Sequence, residues 1–239
     1  MIVIHAQGRH GNLLLMNCVA SLLAERLDLS AAYVNPSDYA PLRPLWHQGG
    51  RSLPVQTVVT DENLMHHLSL ASVSHGLRLR GFFQIRDFVR TYAGRIRALF
   101  DLPAAPAATD EVFVHVRLGD VPEHNPGQDY YARALRRLQP SGGHIASDSP
   151  QDPMVLRLAE EFGLKPCLLS PVETLLFGSR FSRLVLSRGT FSWWLGVLSR
   201  AVTVIYPPER AAWHGDIFVH DHWLQLDDDA ENRCIAEAA

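Results

Sequence analysis

Short apolar runs of strand type recur along this chain, and most are followed by a stretch patterned as a helix. Ile2-Val3-Ile4-His5 is a β-branched run. Gly8 and Gly11 follow it, then apolar positions at Leu15, Val19, Leu22 and Leu23, which is how an α/β unit opens. Val55 to Val59 reads as a strand, and Arg86 to Phe100 as a helix with its apolar face on Phe88, Val89, Tyr92, Ile96 and Leu99. In the second half, Val112 to Val116, Ile145-Ala146, Cys167 to Leu169, Leu184 to Leu186 and Val202 to Tyr206 are expected strands. Tyr130 to Leu138, Pro153 to Phe162 and Phe191 to Leu198 are expected helices between them. Asp152 is placed to cap the helix at Pro153, and Gly163 to end it. Strands alternating with helices imply a mainly parallel sheet covered on both faces, with ligands bound at the carboxyl ends of the strands. The stretch DLPAAPAATD at 101–110 has the composition of a linker, which sets a domain boundary near residue 108 and divides the chain into 1–108 and 109–239.

Composition narrows the function. The 239 residues are 47% hydrophobic, enough for a sizeable core, and 22 basic against 25 acidic residues leave a net charge of −3. That balance argues against duplex binding by phosphate neutralisation, so nucleic acid is not an expected partner. Cys18, Cys167 and Cys234 are far apart and odd in number, which reads as reduced thiols in a cytosolic protein rather than a zinc or redox motif. No apolar run reaches the roughly 18 residues that span a bilayer, and without a basic region followed by an apolar stretch and a cleavage site, export is not expected. Membrane association is left only as a peripheral option.

Four segments carry candidate chemistry. In EVFVHVRLGDV (111–121) an apolar strand ends in His115, Arg117, Gly119 and Asp120. Arg117 suits a diphosphate, because its planar fork donates paired hydrogen bonds and its charge does not titrate away. The competing reading is an Arg117–Asp120 salt bridge closing a turn, with His115 a hydrogen-bonded core residue. In SRGTFSWWLGVLS (187–199) small polar residues precede a helix, whose N-terminal amides with the hydroxyls of Thr190 and Ser192 can hold phosphate oxygens. Trp193 and Trp194 are expected in the core. QGRHGN (7–12) lets backbone approach a ligand closely but is neither a dinucleotide fingerprint nor a P-loop, and a tight turn explains it as well. In IASDSPQD (145–152), Ser147 and Asp148 can accept hydrogen bonds from a base or ribose, or simply belong to a capping loop. His220 and His222 would share a face if they lay on a strand, but with no third ligand in sight they do not make a metal site. His66-His67 is expected on a helix surface.

Taken in order, these segments resemble the inverting α-1,2-fucosyltransferases, and more distantly the α-1,6- and protein O-fucosyltransferases. The likeness runs from QGRHGN through RGFFQIRDF (80–88), VHVRLGD, DYYARAL (129–135), IASD and LSRGTFSWWLGVL to IYPPERAAWH (205–214) and Trp223. It implies an α/β, GT-B-like fold of two Rossmann-like parallel-sheet domains facing a cleft. The first would be the acceptor side and the second would bind GDP-fucose. It further implies transfer of fucose with inversion to a glycan hydroxyl, lipid-linked glycans included, with no cofactor and no required metal.

Carried over by position, Arg117 binds the donor diphosphate and His115 shapes the same site. Asp148 with Ser147 faces the nucleoside, while Thr190, Phe191 and Ser192 line the phosphate end, and Gly8, Gly11 and Asn12 contribute from the first domain. Asp120 is the first choice for catalytic base, with Glu123 and His124 nearby. The chain departs from the family at Leu118, where a second arginine is usual, and at Leu13, where a glutamine is usual. These departures keep two alternatives in play: a transferase using another nucleotide sugar, and a non-catalytic module that binds a glycan or nucleotide.

Overall fold

In the computed structural model, which describes residues 1–102, 110–119, 125–208, 213–218 and 220–227, the chain divides into two compact units. One comprises Met1–Pro103 with Ala212–Ile217, the other Ala104–Ala211 with Phe218–Ala239. The boundary expected near residue 108 lies outside the described residues. Residues 213–217 group with the first unit, where the Arg86 amide donates to the His214 carbonyl at 3.0 Å.

The first unit contains β1 (Ile2–Ile4), α1 (His10–Leu27), β2 (Ala31–Ala32), a 3-10 helix (Pro36–Leu42), β3 (Val55–Val59), α2 (Leu64–Ser69), β4 (Gly76–Leu79) and α3 (Arg86–Ala98). Its strands lie in the order β2-β1-β4-β3, and every pairing is parallel. Thirteen of the eighteen residues of α1 are buried, so it is a central helix and not a one-faced surface helix. Its buried polar residues are satisfied by the chain that wraps it. Asn17 exchanges two 2.9 Å hydrogen bonds with the main chain of Val34, and the Ser21 hydroxyl accepts from the His47 amide.

The second unit contains β5 (Val112–Val116), α4 (Gln128–Leu138), β6 (Gly143–Ser147), α5 (Pro153–Phe162), β7 (Leu164–Cys167), α6 (Pro171–Gly178), β8 (Arg183–Val185), α7 (Thr190–Leu198), β9 (Thr203–Tyr206) and β10 (Trp223–Gln225). The sheet is parallel throughout, in the order β10-β9-β8-β5-β6-β7. Numbered from β5 and read from the β7 edge, this is 3-2-1-4-5-6, the Rossmann strand order. All five residues of β5 are buried, as a strand covered on both faces requires. Asp152 caps α5 by accepting from the Met154 amide at 2.8 Å, and Gly163 ends it in the left-handed conformation.

Several elements differ from the sequence expectation. β7 runs from Leu164 to Cys167, earlier than the apolar run Cys167 to Leu169, because the chain turns directly from the Gly163 cap into the sheet and pairs through Lys165 and Pro166. β4, the central partner of β1 and β3, is a further strand, and α6 opens with a Ser170/Glu173 capping box. His66 and His67 do lie on α2, but His67 is buried and its Nδ1 contacts the Asn63 carbonyl at 3.0 Å. His220 and His222 precede β10 and are not on it. His220 receives the Trp193 indole N–H at 3.3 Å and packs on Trp223.

Candidate functional site

In an open parallel sheet of this order, the connections from the first and fourth strands leave in opposite directions, opening a crevice at their carboxyl ends. Here those strands are β5 and β8. β5 delivers His115 and Arg117, and β8 delivers Ser187, Arg188, Gly189 and the start of α7. The two strongest sequence segments therefore meet at the point where the topology favours a ligand.

Arg117 and Gly189 are in direct apposition. A Cβ built on Gly189 would stand 2.1 Å from the Arg117 Nη1, so a larger residue there would push the guanidinium out of this position. Gly189 also has φ +91° and ψ 158°, a region essentially confined to glycine, and it starts α7 with no capping side chain. A cation thus lies across the N-cap residue of a helix, next to the place where phosphate oxygens are held by amides and dipole. α7 is anchored beneath by Trp193 and Trp194, both fully buried, each contributing about 4–6 kcal/mol by area.

Asp148 ties the end of β6 to the loop after β5. One carboxylate oxygen accepts from the Leu118 amide at 2.8 Å and the other from the Gly119 amide at 3.1 Å, so Asp148 clamps the turn that carries Arg117. Gly119 makes space for it, since a Cβ there would fall 2.7 Å from Oδ2. The Ser147 hydroxyl accepts from the Ser149 amide at 3.0 Å and shapes the same loop.

His115 is buried, and its Nδ1 lies 2.6 Å from the Ser192 hydroxyl, with the ring against Phe191. Burial pushes its pKa down to about 4; Asp148 opposes the shift and Arg117 adds to it. The ring is therefore neutral at pH 7 and acts here as a tether between β5 and α7, adding no positive charge. Thr190, also buried, occupies the first turn of α7.

Three residues at this place lie in segments the sequence singled out but had no role assigned to them. Tyr131 of α4 and Ser187 after β8 are fully enclosed, and among the described residues neither hydroxyl has a hydrogen-bond partner of good geometry. Burial pushes the Tyr131 hydroxyl above the usual tyrosine range, opposed by Ser187, the Arg188 charge and the Arg117 main chain, which places all four close together. Arg188 is 2% exposed, and its Nε donates to the Pro208 carbonyl at 2.7 Å. For two of them the available signal was Ser187-Arg188 set directly after the apolar run Leu184 to Leu186.

Asp120, Glu123 and His124 lie outside the described residues. Gly8, Gly11 and Asn12 belong to the first unit, at the carboxyl end of β1 and the start of α1. A cavity of about 310 Å³ in that unit is lined by Ser21, Glu25, His47 and Arg95 among others, well along α1 from the strand ends. Among the described residues no group of three or more His, Cys, Asp or Glu is placed to hold a metal ion, and no helix is long and apolar enough to cross a membrane.

No family model matches the chain, and no curated protein matches it in sequence. Its backbone is similar to that of the E. coli heptosyltransferase WaaC with ADP, at a TM-score of 0.53 and 13% identity over 100% of both chains. A structure of the same enzyme with ADP-2-deoxy-2-fluoro heptose gives 0.47 at 13% identity, covering 100% of this chain and 99% of that one. The shared feature is the fold: an α/β chain with two parallel sheets, of the GT-B type.

Proposed function

We propose that this chain is a glycosyltransferase that moves fucose from GDP-fucose to a glycan hydroxyl with inversion. The observation that carries the reading is the Arg117 guanidinium laid over Gly189 at the crevice between β5 and β8. In the reaction the acceptor oxygen attacks the anomeric carbon, the bond from that carbon to the diphosphate oxygen breaks, and the hydroxyl proton passes to a base. Negative charge grows on the leaving diphosphate. Arg117 and the first amides of α7 stand where that charge develops, and preorganised donors of this kind stabilise it without reorganisation. Asp148 holds the Arg117 turn, His115 holds Ser192 and the start of α7, and Asp120 is the proposed base.

A second reading keeps the reaction and changes the donor. Leu118 stands where the fucosyltransferase pattern has a second arginine, and the similar heptosyltransferase structure holds ADP. Donor recognition by a single arginine from that strand fits another nucleotide sugar as well as GDP-fucose.

The test is a thermal-shift titration of the full chain with GDP, GDP-fucose, UDP and ADP, on wild type and Arg117→Ala. A ligand at 100 times its Kd stabilises by about 2.7 kcal/mol, raising Tm by about 5 °C or more. Stabilisation by guanine nucleotides that depends on Arg117 supports the first reading. Stabilisation by UDP or ADP instead moves the donor, and no shift with any of the four overturns the site.

A further inference from the structure

The first unit contains a second carboxylate clamp, at the carboxyl ends of β3 and β4. Phe83 is fully buried and has φ +55°, a left-handed conformation that a bulky side chain seldom adopts. What holds it is Asp61, which follows β3. Its Oδ1 accepts from the Phe83 amide at 2.5 Å and its Oδ2 from the Phe82 amide at 3.3 Å. Gly81 makes room for the carboxylate, since a Cβ there would lie 2.5 Å from Oδ2. Strain held in place by surrounding structure is a pointer to a site.

The residue this arrangement presents is Gln84. Its Nε2 donates to the Asn12 Oδ1 at 3.1 Å, so two side-chain amides 72 positions apart meet beside the ends of β1 and β4. Asn12 is itself backed by Gly8, where φ is +75° and a Cβ would fall 2.2 Å from its Nδ2. Both amides are partly exposed. The second unit uses the same construction, with Asp148 accepting from two successive amides of the Arg117 turn and Gly119 making room. In each unit the clamped turn carries a polar side chain to the carboxyl edge of a parallel sheet.

We infer that Asp61 is a positioning residue that fixes Gln84 and Asn12 as a paired-amide site for the hydroxyl groups of a saccharide. Each amide offers donors and an acceptor without net charge, which matches neighbouring hydroxyls that both donate and accept, and gives no advantage to an anion. That the saccharide is the acceptor rests on the transferase reading; that the site takes a neutral polyol does not.

The experiment is saturation-transfer NMR on the full chain with lactose, N-acetyllactosamine, methyl α-galactoside and methyl α-mannoside, with wild type, Gln84→Ala and Asp61→Asn. At least one probe is expected to bind wild type and to weaken at least about fivefold in both variants, while the nucleotide-induced thermal shift stays at its wild-type value. Faster hydrogen exchange at the Phe83 amide in Asp61→Asn marks release of the clamp. If Asp61→Asn fails to fold, Gln84→Ala, which leaves the clamp intact, decides the matter. Binding unchanged in Gln84→Ala, no binding of any probe to wild type, or equal loss of saccharide and nucleotide in Asp61→Asn overturns the inference. Gln84-dependent saccharide binding without any nucleotide shift sinks the transferase reading and leaves this site standing.

Discussion

Gly189→Ala isolates the geometry on which the nucleotide site depends. Two effects follow from one methyl group. The backbone at φ +91° and ψ 158° is nearly closed to alanine, at a cost of about 2 kcal/mol, which lowers Tm by about 4–8 °C in a chain of this size. Separately, the new Cβ stands 2.1 Å from the Arg117 Nη1 where ordinary contact begins at 3.4 Å, so the guanidinium must retreat by about 1.3 Å. A displacement of that size removes a charge-assisted hydrogen bond worth about 1.5–3 kcal/mol, weakening the nucleotide by about 10- to 100-fold. The two effects separate in a double-mutant cycle read by nucleotide titration and urea denaturation. In an Arg117→Ala background, Gly189→Ala should still lower stability but take little further from affinity, because the group it displaces is already gone. Affinity losses that simply add across the cycle, or an unchanged Kd in Gly189→Ala, would refute the claim that this glycine works through Arg117.

Two further outcomes are expected. The folded pKa of His115 lies near 4 and its unfolded value near 6.5, so the unfolded chain takes up the proton first as pH falls. The contribution is whole above pH 6.5 and lost progressively toward pH 4, with about 2 kcal/mol gone at pH 5. Urea denaturation at pH 7.5 and pH 5 should show a gap smaller by about that amount in His115→Gln; an equal gap in both proteins removes the buried neutral histidine from the account. Asp152→Ala deletes the cap on the Met154 amide and should cost about 1 kcal/mol, a Tm lower by about 2–4 °C, with most of it restored by Asp152→Ser.

The second sheet was largely legible because its central strands β5, β8 and β9 are mostly buried. Val112 to Val116 has no polar interruption before His115, and α5 carries a capping residue, a first-turn proline and a terminal glycine in the places physics assigns them. β4 was hard to see for the opposite reason. Gly76-Leu77-Arg78-Leu79 has only two large apolar side chains, and its strand character comes from pairing with β1 on one side and β3 on the other. Arg117 could be singled out from its position at a strand end, and the apposing Gly189 was visible as a small residue ahead of α7. The post taken by Asp148 could not be read in the same way, because a carboxylate that clamps amides 29 and 30 positions away looks no different in sequence from one waiting for a ribose. Asp61 was hidden for the same reason, since nothing local marks a partner 22 positions downstream.

The sequence separations of these contacts also set an order of assembly. The Asp61–Phe83 clamp closes over 22 positions and the Asp148–Leu118 clamp over 30, whereas the His115–Ser192 tether spans 77. Closing the longest of these loops costs about 1 kcal/mol more chain entropy than the shortest, and the last strands must arrive before the tether can form. The amide pair near β4 belongs to chain made early in synthesis, while the crevice that would hold a nucleotide waits for β8 and α7. A nascent chain halted after β7 could carry one recognition surface and only the Arg117 half of the other, so nucleotide capture on stalled ribosomes would time the completion of the second sheet.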